Sequence, residues 1–142
     1  MKRNGDIIII EDDPDDWEIL LEAFGEVIDE NKFKNRVLIF EDSTMVVDYL
    51  QESKSEIFMI LSDVNMPRLN GFELRESIYK IPSLCKRCMP YIFLTTGITK
   101  EHVTKAFELP LHGFFEKPTS FSDYKKLISD IILYWKVCLA PQ

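Results

Sequence analysis

The sequence predicts an α/β domain in which a five-stranded, mostly parallel sheet is doubly wound and covered by helices on both faces. Short apolar runs alternate with longer segments of helical spacing, and this unit occurs five times along the chain. Most of the runs are apolar at every position, which is typical of strands buried on both faces. Strict alternation of strands and helices favours parallel pairing in a three-layer sandwich with five helices.

The first two units follow directly from local patterns. Four consecutive isoleucines predict a strand at residues 7–10, and Asp13 and Pro14 have the residue types preferred at a helix N-cap and first turn. The first helix carries Trp17, Leu20, Leu21, Phe24, Val27 and Ile28 at helical spacing. The second strand is predicted at residues 37–40, and Ser43 is a candidate cap for the second helix. That helix carries Val46, Val47 and Leu50.

The third unit is a strand at residues 57–61 followed by a helix that opens at Asn70 and Gly71 and is stopped by Pro82. The helix carries Phe72, Leu74, Ile78 and Ile81. The fourth strand is predicted at residues 91–94.

The last two helices have recognisable start signals. Thr99 is a candidate cap for the fourth helix, and Ser120 with Asp123 resembles a capping box for the fifth. Between them lies a short fifth strand at residues 113–115. The fifth helix carries an apolar stripe: Tyr124, Leu127, Ile128, Ile131, Ile132 and Trp135.

Composition limits the class of protein. A chain of 142 residues with 46% hydrophobic content can bury its own core as one domain over 1–142, with the core at 5–137 and a short tail at 138–142. Its 17 basic and 24 acidic residues give a net charge of −7, which argues against binding to nucleic acid or an anionic membrane. With no long apolar stretch, no signal-peptide pattern and three cysteines, we expect a cytoplasmic protein with reduced thiols.

Acidic residues crowd the segment after the first strand, where six of the eight residues from Glu11 to Glu18 are acidic. Most of them fit a solvated helix start, because the helix dipole favours carboxylates there. Glu11 and Asp12 fit that interpretation poorly, since they directly follow an apolar strand, where a charge needs a partner. A bound cation is the natural partner.

Three further polar residues follow later strands: Asp63 the third, Thr95 the fourth and Lys117 the fifth. Each alone has an ordinary interpretation as a loop, cap or surface residue. Ligands of open parallel sheets bind beyond the carboxyl ends of the strands, so all these residues are expected to meet. Carboxylates suit Mg²⁺, and a carboxylate beside such a cation can accept a phosphoryl group. A hydroxyl and an ammonium are suited to holding phosphoryl oxygens.

Four motifs resemble those of the receiver domain of two-component response regulators. They are Ile-Glu-Asp-Asp-Pro at 10–14, Asp-Val-Asn-Met-Pro-Arg-Leu-Asn-Gly at 63–71, Leu-Thr-Thr-Gly at 94–97 and Glu-Lys-Pro at 116–118. The resemblance covers residues 5–137 and implies the flavodoxin-like fold with strand order 2-1-3-4-5. It also implies a phosphorelay protein that takes a phosphoryl group from a phosphohistidine and catalyses only its own phosphorylation and dephosphorylation.

The resemblance assigns roles to the residues at the predicted site. Asp63 would become the 4-aspartylphosphate, and Mg²⁺ would be held by Glu11, Asp12, Asp63 and the backbone carbonyl of Asn65. Asp12 would touch the metal directly, whereas Glu11 would act mainly through water.

Two further residues would contact the phosphoryl group, and a third would respond to it. Thr95 and Lys117 would contact that group, and the bond between Lys117 and Pro118 would be cis. Phe114 would be the switch aromatic that follows Thr95 inward, changing the surface around the fourth helix, the fifth strand and the fifth helix.

Thr96 departs from the broad family, in which a small residue is usual. The Leu-Thr-Thr motif and the final Tyr134, Trp135 and Pro141 resemble small stand-alone receivers paired with phytochrome-like and other hybrid sensor kinases. The implied partners are a sensor histidine kinase or a histidine phosphotransfer protein and an unknown downstream protein. Tyr134 and Trp135 could in addition help a partner or a second copy of the chain to dock. This resemblance does not extend to light sensing.

Two other functions stay open at this point. The chain could be an interaction module that keeps the fold without the chemistry, although the set of Asp12, Asp63, Thr95 and Lys117 argues against it. It could also be a phosphatase with an aspartyl nucleophile, but such enzymes usually need an acid where Asn65 stands. The Cys85–Cys88 pair lacks the partners of a zinc site, and His102 and His112 are expected to be surface or packing residues rather than catalysts.

Overall fold

The computed structural model describes residues 1–108 and 112–139 and contains the predicted five-stranded parallel sheet. Its strands lie in the order β2-β1-β3-β4-β5, which confirms the expected fold class. The strands are β1 (Asp6–Ile10), β2 (Val37–Phe40), β3 (Ile57–Ser62), β4 (Tyr91–Thr95) and β5 (Phe114–Glu116). In the middle of the sheet, Ile9 of β1 pairs with Ile39 of β2 on one side and with Leu61 of β3 on the other.

Six α-helices lie within the described residues, one more than the five predicted. They are α1 (Pro14–Asn31), α2 (Val46–Glu52), α3 (Gly71–Tyr79), α4 (Pro82–Cys85), α5 (Lys100–Phe107) and α6 (Phe121–Val137). The additional helix is α4, because Pro82 ends the preceding segment and also opens a new turn. Its fixed φ angle suits the first helical position, where no backbone donor is needed.

Most of the predicted helix caps are present. Asp13, Thr99 and Ser120 each accept a hydrogen bond from a backbone N–H of the first turn, and Asn70 forms a full capping box with Glu73.

The cap predicted at Ser43 is wrong. Asp42 caps a short 3₁₀ turn at Ser43–Met45 ahead of α2, whereas the hydroxyl of Ser43 donates to the carbonyl of Leu69 at 2.6 Å. Both residues have cap-forming side chains, and the one that comes first along the chain supplies the cap.

The core has two halves, one on each face of the sheet. In β1 the side chains of Ile7 and Ile9 join α1 and α6, whereas those of Ile8 and Ile10 join the helices of the opposite face. This division explains why all four residues at 7–10 of β1 are apolar, since successive side chains of a strand point to opposite faces.

His112 is an exposed residue beside β4. Its Nδ1 accepts a hydrogen bond from the backbone N–H of Tyr91 at 3.0 Å, and its ring meets the edge of Trp135. Partial burial and the nearby charge of Arg75 lower the pKa of His112. Protonation of Nδ1 would remove the acceptor for Tyr91.

We expect His112 to make folding stability depend on pH. Its pKa is lower in the folded chain than the value of about 6.5 for an unfolded one, so it contributes no pH dependence well above pH 6.5. As the pH decreases below this value, the free energy of unfolding should decrease, until the pH is lower than the pKa of His112 in the folded chain. Urea unfolding of the wild type and His112→Gln across this range measures the difference. His102→Gln is the control. If the free energy of unfolding changed equally with pH in all three proteins, the expectation would be contradicted.

No helix among the described residues is long and apolar enough to cross a membrane. Pro141 and the rest of residues 140–142 lie outside the described part of the chain, so the bounds of the domain and its tail stay a prediction.

Candidate functional site

The carboxyl ends of four strands meet at one edge of the sheet. The backbone N–H of Asp63 donates to the carbonyl of Ile10 at 3.0 Å, and that of Lys117 donates to the carbonyl of Thr95 at 2.8 Å. These bonds continue the strand ladders by one residue beyond the ends of β3 and β5. They fix the backbone from which each predicted site residue projects.

Three carboxylates lie together at this edge. One carboxylate oxygen from each of Glu11, Asp12 and Asp63 lies within 4.8 Å of the others, and no other such group of metal-ligating side chains is found within residues 1–108 and 112–139. Glu11 is 2% exposed and Asp63 is 8% exposed, so both carboxylates are largely removed from water. Hard oxygen ligands at this spacing fit a divalent cation such as Mg²⁺.

Lys117 extends into the middle of the acidic cluster. Its Nζ lies 2.6 Å from Glu11 Oε2, 2.9 Å from Asp16 Oδ2 and 3.3 Å from Asp63 Oδ2, and the lysine side chain is 2% exposed. Three carboxylates therefore contact one ammonium group, and a fourth, that of Asp12, lies beside those of Glu11 and Asp63. The cluster therefore has an excess of negative charge that a divalent cation would balance.

Burial and pairing shift the protonation of the two most buried members. Burial raises the pKa of Glu11 to about 7, and the charge of Asp63 adds to this effect, although the hydrogen bond from Lys117 opposes it. Burial tends to lower the pKa of Lys117, but its hydrogen bonds to Glu11 and Asp16 outweigh burial and raise that pKa. Lys117 consequently keeps its charge at neutral pH.

The backbone around Asp63 is held by its neighbours. The hydroxyl of Ser62 donates to the carbonyl of Asp63 at 2.7 Å, and the backbone N–H of Val64 donates to Asp63 Oδ1 at 2.7 Å. The N–H of Gly71 donates to the carbonyl of Val64, and Tyr91 Oη donates to the carbonyl of Gly71. The start of α3 is therefore packed directly beneath the loop that carries Asp63.

Thr95 and Asn65 are at the same edge but differ in exposure. Thr95 is fully buried at the end of β4, and its hydroxyl donates to the carbonyl of Thr96 at 3.3 Å. Asn65 is exposed two residues beyond Asp63. The roles predicted for Thr95 at the phosphoryl group and for the Asn65 carbonyl at the metal stay predictions.

Phe114 lies at the start of β5, half-buried in an aromatic cluster. Its ring is nearly parallel to that of Phe72, with centroids 6.4 Å apart, and is tilted against Phe93 at 5.9 Å. This cluster joins β4 and β5 to α3, so a movement of Phe114 would be felt by both the strands and the helix.

The expectation of a cis bond between Lys117 and Pro118 is wrong. No peptide bond is cis in the described part of the chain. A bond before proline favours trans by only about 0.5–1 kcal/mol, so its isomer depends on the local packing rather than on the residue types alone.

Asp16 is a site residue that the sequence analysis missed. It was assigned to the solvated start of the first helix, yet its Oδ2 accepts a hydrogen bond from Lys117 Nζ at 2.9 Å. The signal was its position in the first turn of α1, which begins immediately beyond the end of β1. A side chain there can reach back over the edge of the sheet.

Comparison with known sequences identifies a matching family. The sequence model of the response regulator receiver domain matches residues 7–129. A related protein is the response regulator Rcp1 of Synechocystis, which is 26% identical over 134 residues, covering 91% of this chain and 87% of Rcp1.

Solved structures share the fold. The Mn²⁺-bound form of Rcp1 has a TM-score of 0.78 at 22% identity and covers 97% of this chain and 99% of its own. The phosphorylated cyanobacterial phytochrome response regulator RcpA has a TM-score of 0.79 at 20% identity, with the same coverage. The receiver domain of sensor histidine kinase PA1611 from Pseudomonas aeruginosa, with magnesium coordinated in its active-site cleft, has a TM-score of 0.67 at 18% identity. That match covers 90% of this chain and 97% of the other.

Proposed function

The chain belongs to the family of response regulator receiver domains, and we therefore propose that Asp63 accepts a phosphoryl group from a phosphohistidine and becomes an aspartylphosphate. The observation that carries the proposal is the position of Lys117, whose buried ammonium lies 3.3 Å from Asp63 Oδ2. A buried cation at that distance can hold the oxygens of an incoming phosphoryl group and balance their charge.

The chemistry is an in-line transfer between two proteins. A carboxylate oxygen of Asp63 attacks phosphorus, a P–O bond forms, and the P–N bond to the donor histidine breaks with its electron pair returning to the ring nitrogen. The hydrogen bond from the N–H of Val64 to Asp63 Oδ1 fixes the plane of the carboxylate. Lys117 stays protonated through the transfer and neutralises charge on the transferred oxygens.

Glu11, Asp12 and Asp63 are the residues that would hold Mg²⁺, together with the backbone carbonyl of Asn65. Their clustered oxygens and the excess of negative charge support this assignment. When bound, Mg²⁺ would supply positive charge that offsets repulsion between the carboxylates and the phosphoryl oxygens. The raised pKa of Glu11 means that cation binding would favour loss of its proton.

We further propose that phosphorylation acts through Thr95 and Phe114. Thr95 would turn its hydroxyl from the carbonyl of Thr96 toward the new phosphoryl oxygens, and Phe114 would move within the cluster that it forms with Phe72 and Phe93. The surface formed by α5, β5 and α6 would then change. Such a switch is a population shift, in which the phosphoryl group need only bind one packing better than the other.

Receiver domains of two-component systems interact with histidine kinases and with downstream proteins. For this chain we propose a sensor histidine kinase or a histidine phosphotransfer protein as the donor, with an unidentified downstream protein and a possible second copy of the chain as partners. Catalysis would be confined to its own phosphorylation and dephosphorylation. The expected cytoplasmic location stays a prediction.

Replacing Asp63 with asparagine is expected to abolish phosphorylation. With acetyl phosphate and Mg²⁺, the intact mass of the wild type should increase by one phosphoryl group, whereas Asp63→Asn should show no increase because the amide is not nucleophilic. The control is Asp48→Asn, which makes the same change at an exposed position of α2 and should be phosphorylated normally.

The same experiment distinguishes the alternatives. An unmodified wild type would favour a protein-interaction module without the chemistry, and an Asp63→Asn protein that still gains the mass would place the phosphoryl group elsewhere. Sustained hydrolysis of a generic phosphate ester would instead favour a phosphatase. We expect none, since Asn65 occupies the position of the second acid.

A further inference from the structure

A cavity lies at the end of the sheet opposite to Asp63, where the strands begin. It encloses about 310 Å³ between the start of β3, the chain before β1 and the turn after α4. Its rim carries four basic residues: Lys2, Lys54, Lys86 and Arg87. Glu56 is the one acidic residue of the lining.

The basic residues of this rim are not neutralised by carboxylates. Within residues 1–108 and 112–139, no salt bridge involves Lys2, Lys54 or Lys86. Arg87 donates from Nη1 to the carbonyl of Leu50 at 3.0 Å and from Nη2 to that of Ser55 at 2.7 Å. These bonds hold the guanidinium in place but leave its charge unbalanced and its other N–H donors available.

Such a group of cations is unexpected in a chain with a net charge of −7, where carboxylates outnumber basic residues. Arg87 has a structural role, because it binds two carbonyls near the end of α2. In the part of the chain that the structure describes, no side-chain salt bridge explains the position of the three lysine ammonium groups. Mutual repulsion around a cavity is unfavourable, and an anion in the cavity would relieve it.

Three apolar side chains complete the lining, and the α-ammonium of Met1 donates to the carbonyl of Arg87. Ile57 and Met89 are buried there, together with the side chain of Met1. Methionine side chains are flexible and polarizable, so they adapt well to flat or aromatic groups. The cavity therefore combines a cationic rim with an apolar base, and its volume is at the lower end of the range for small-ligand sites.

We propose that this cavity binds a small organic phosphate of about mononucleotide size. The phosphate group of this ligand lies against Lys54, Lys86 and Arg87. The apolar or aromatic part of the ligand contacts Ile57 and Met89. A phosphate carries close to two negative charges and several acceptor oxygens, which suits a rim of several cations better than a carboxylate does.

The cavity is separate from the site at Asp63. β3 begins with Ile57 in the cavity and runs its full length before Asp63 follows at the other edge, a distance of roughly 20 Å at the rise of a strand. Binding can therefore be measured in Asp63→Asn protein without Mg²⁺, which excludes phosphates that bind at the metal site.

The test is a titration of the Asp63→Asn protein with AMP, adenosine and pyrophosphate, followed by NMR shifts of the methyl groups of Ile57 and Met89. AMP is expected to shift these signals and to bind at least about tenfold more tightly than adenosine or pyrophosphate. No shift at millimolar AMP would overturn the proposal. Equal affinity for pyrophosphate would also overturn it, because the organic part would then contribute nothing.

Charge reversal provides the matched comparison. Lys54→Glu and Lys86→Glu change exposed side chains, and each should weaken AMP about tenfold at low salt. Lys100→Glu makes the same change at an exposed residue that opens α5, beyond the other end of the sheet, and should leave affinity within about twofold. Circular dichroism confirms that each variant is folded. Equal losses in all three variants would indicate a non-specific effect of net charge and would overturn the proposal.

Discussion

Replacing Lys117 with methionine is expected to lower the free energy of unfolding by about 3 kcal/mol in the absence of metal. The substitution keeps the length of the side chain but removes an ammonium group that contacts Glu11, Asp16 and Asp63. In the described part of the chain no other basic side chain forms a salt bridge with these three residues. Breaking a buried ion pair costs this much because the remaining charges have neither water nor a partner.

Magnesium should restore much of that stability. Without the ammonium, the carboxylates of Glu11, Asp12 and Asp63 form a more negative cluster, and a divalent cation bound only by the folded state raises its stability by mass action. The increase on adding Mg²⁺ should therefore be larger for Lys117→Met than for the wild type. Urea unfolding with and without Mg²⁺ measures both effects.

Lys117→Met should remain defective in phosphorylation even when Mg²⁺ restores its stability. Removal of one group that stabilises transition-state charge typically slows a reaction by about 100-fold or more, and the rate with acetyl phosphate should fall by that order. The control is Lys125→Met, because Lys125 also contacts two carboxylates, Glu26 and Glu30, but on a more exposed surface. If the two variants were equally stable and equally active, Lys117 would not have the role assigned to it.

The strands could be predicted because each carries its own signal, whereas their order came from the resemblance to receiver domains. Residues 7–10 of β1 are all isoleucine since both faces of the strand are buried, and this pattern distinguishes a central strand from an exposed one. The caps at Asp13 and Asn70 were also predictable, because the residue types act within their own turn. The short helix at Pro82 was missed because proline can either end a helix or begin one.

The candidate site was predictable in its residues but not in its contacts. The order of the strand ends brings Glu11, Asp63 and Lys117 to one edge, and this follows from the parallel topology. The contact between Lys117 and Asp16 depends on how α1 leaves β1, which the pattern of residues does not specify. The structural need for Gly71 is likewise visible only once α3 is packed beneath the loop of Asp63.

Replacing Gly71 with alanine is expected to destabilise the chain by about 3 kcal/mol and to impair phosphorylation of Asp63. A Cβ atom on Gly71 would lie 2.2 Å from the carbonyl oxygen of Asp63 and 3.1 Å from Ser62 Oγ. The nearest of these atoms is backbone, so the start of α3 and the loop would have to separate. Separation would strain the hydrogen bonds of Gly71 with Val64 and Tyr91 and would displace the nucleophile.

Gly25→Ala is the matched control, since Gly25 lies within α1 and a Cβ atom there would meet nothing within 4 Å. Alanine favours a helix interior over glycine by about 1 kcal/mol, so this variant should be slightly more stable and normally phosphorylated. If the added methyl group destabilises the chain at Gly71 and stabilises it at Gly25, the loss of stability in Gly71→Ala is due to close packing and not to the replacement of a glycine as such. Equal stability of the two variants would mean that α3 can move away from Asp63 at little cost. It would contradict the conclusion that the packing of α3 fixes the position of Asp63.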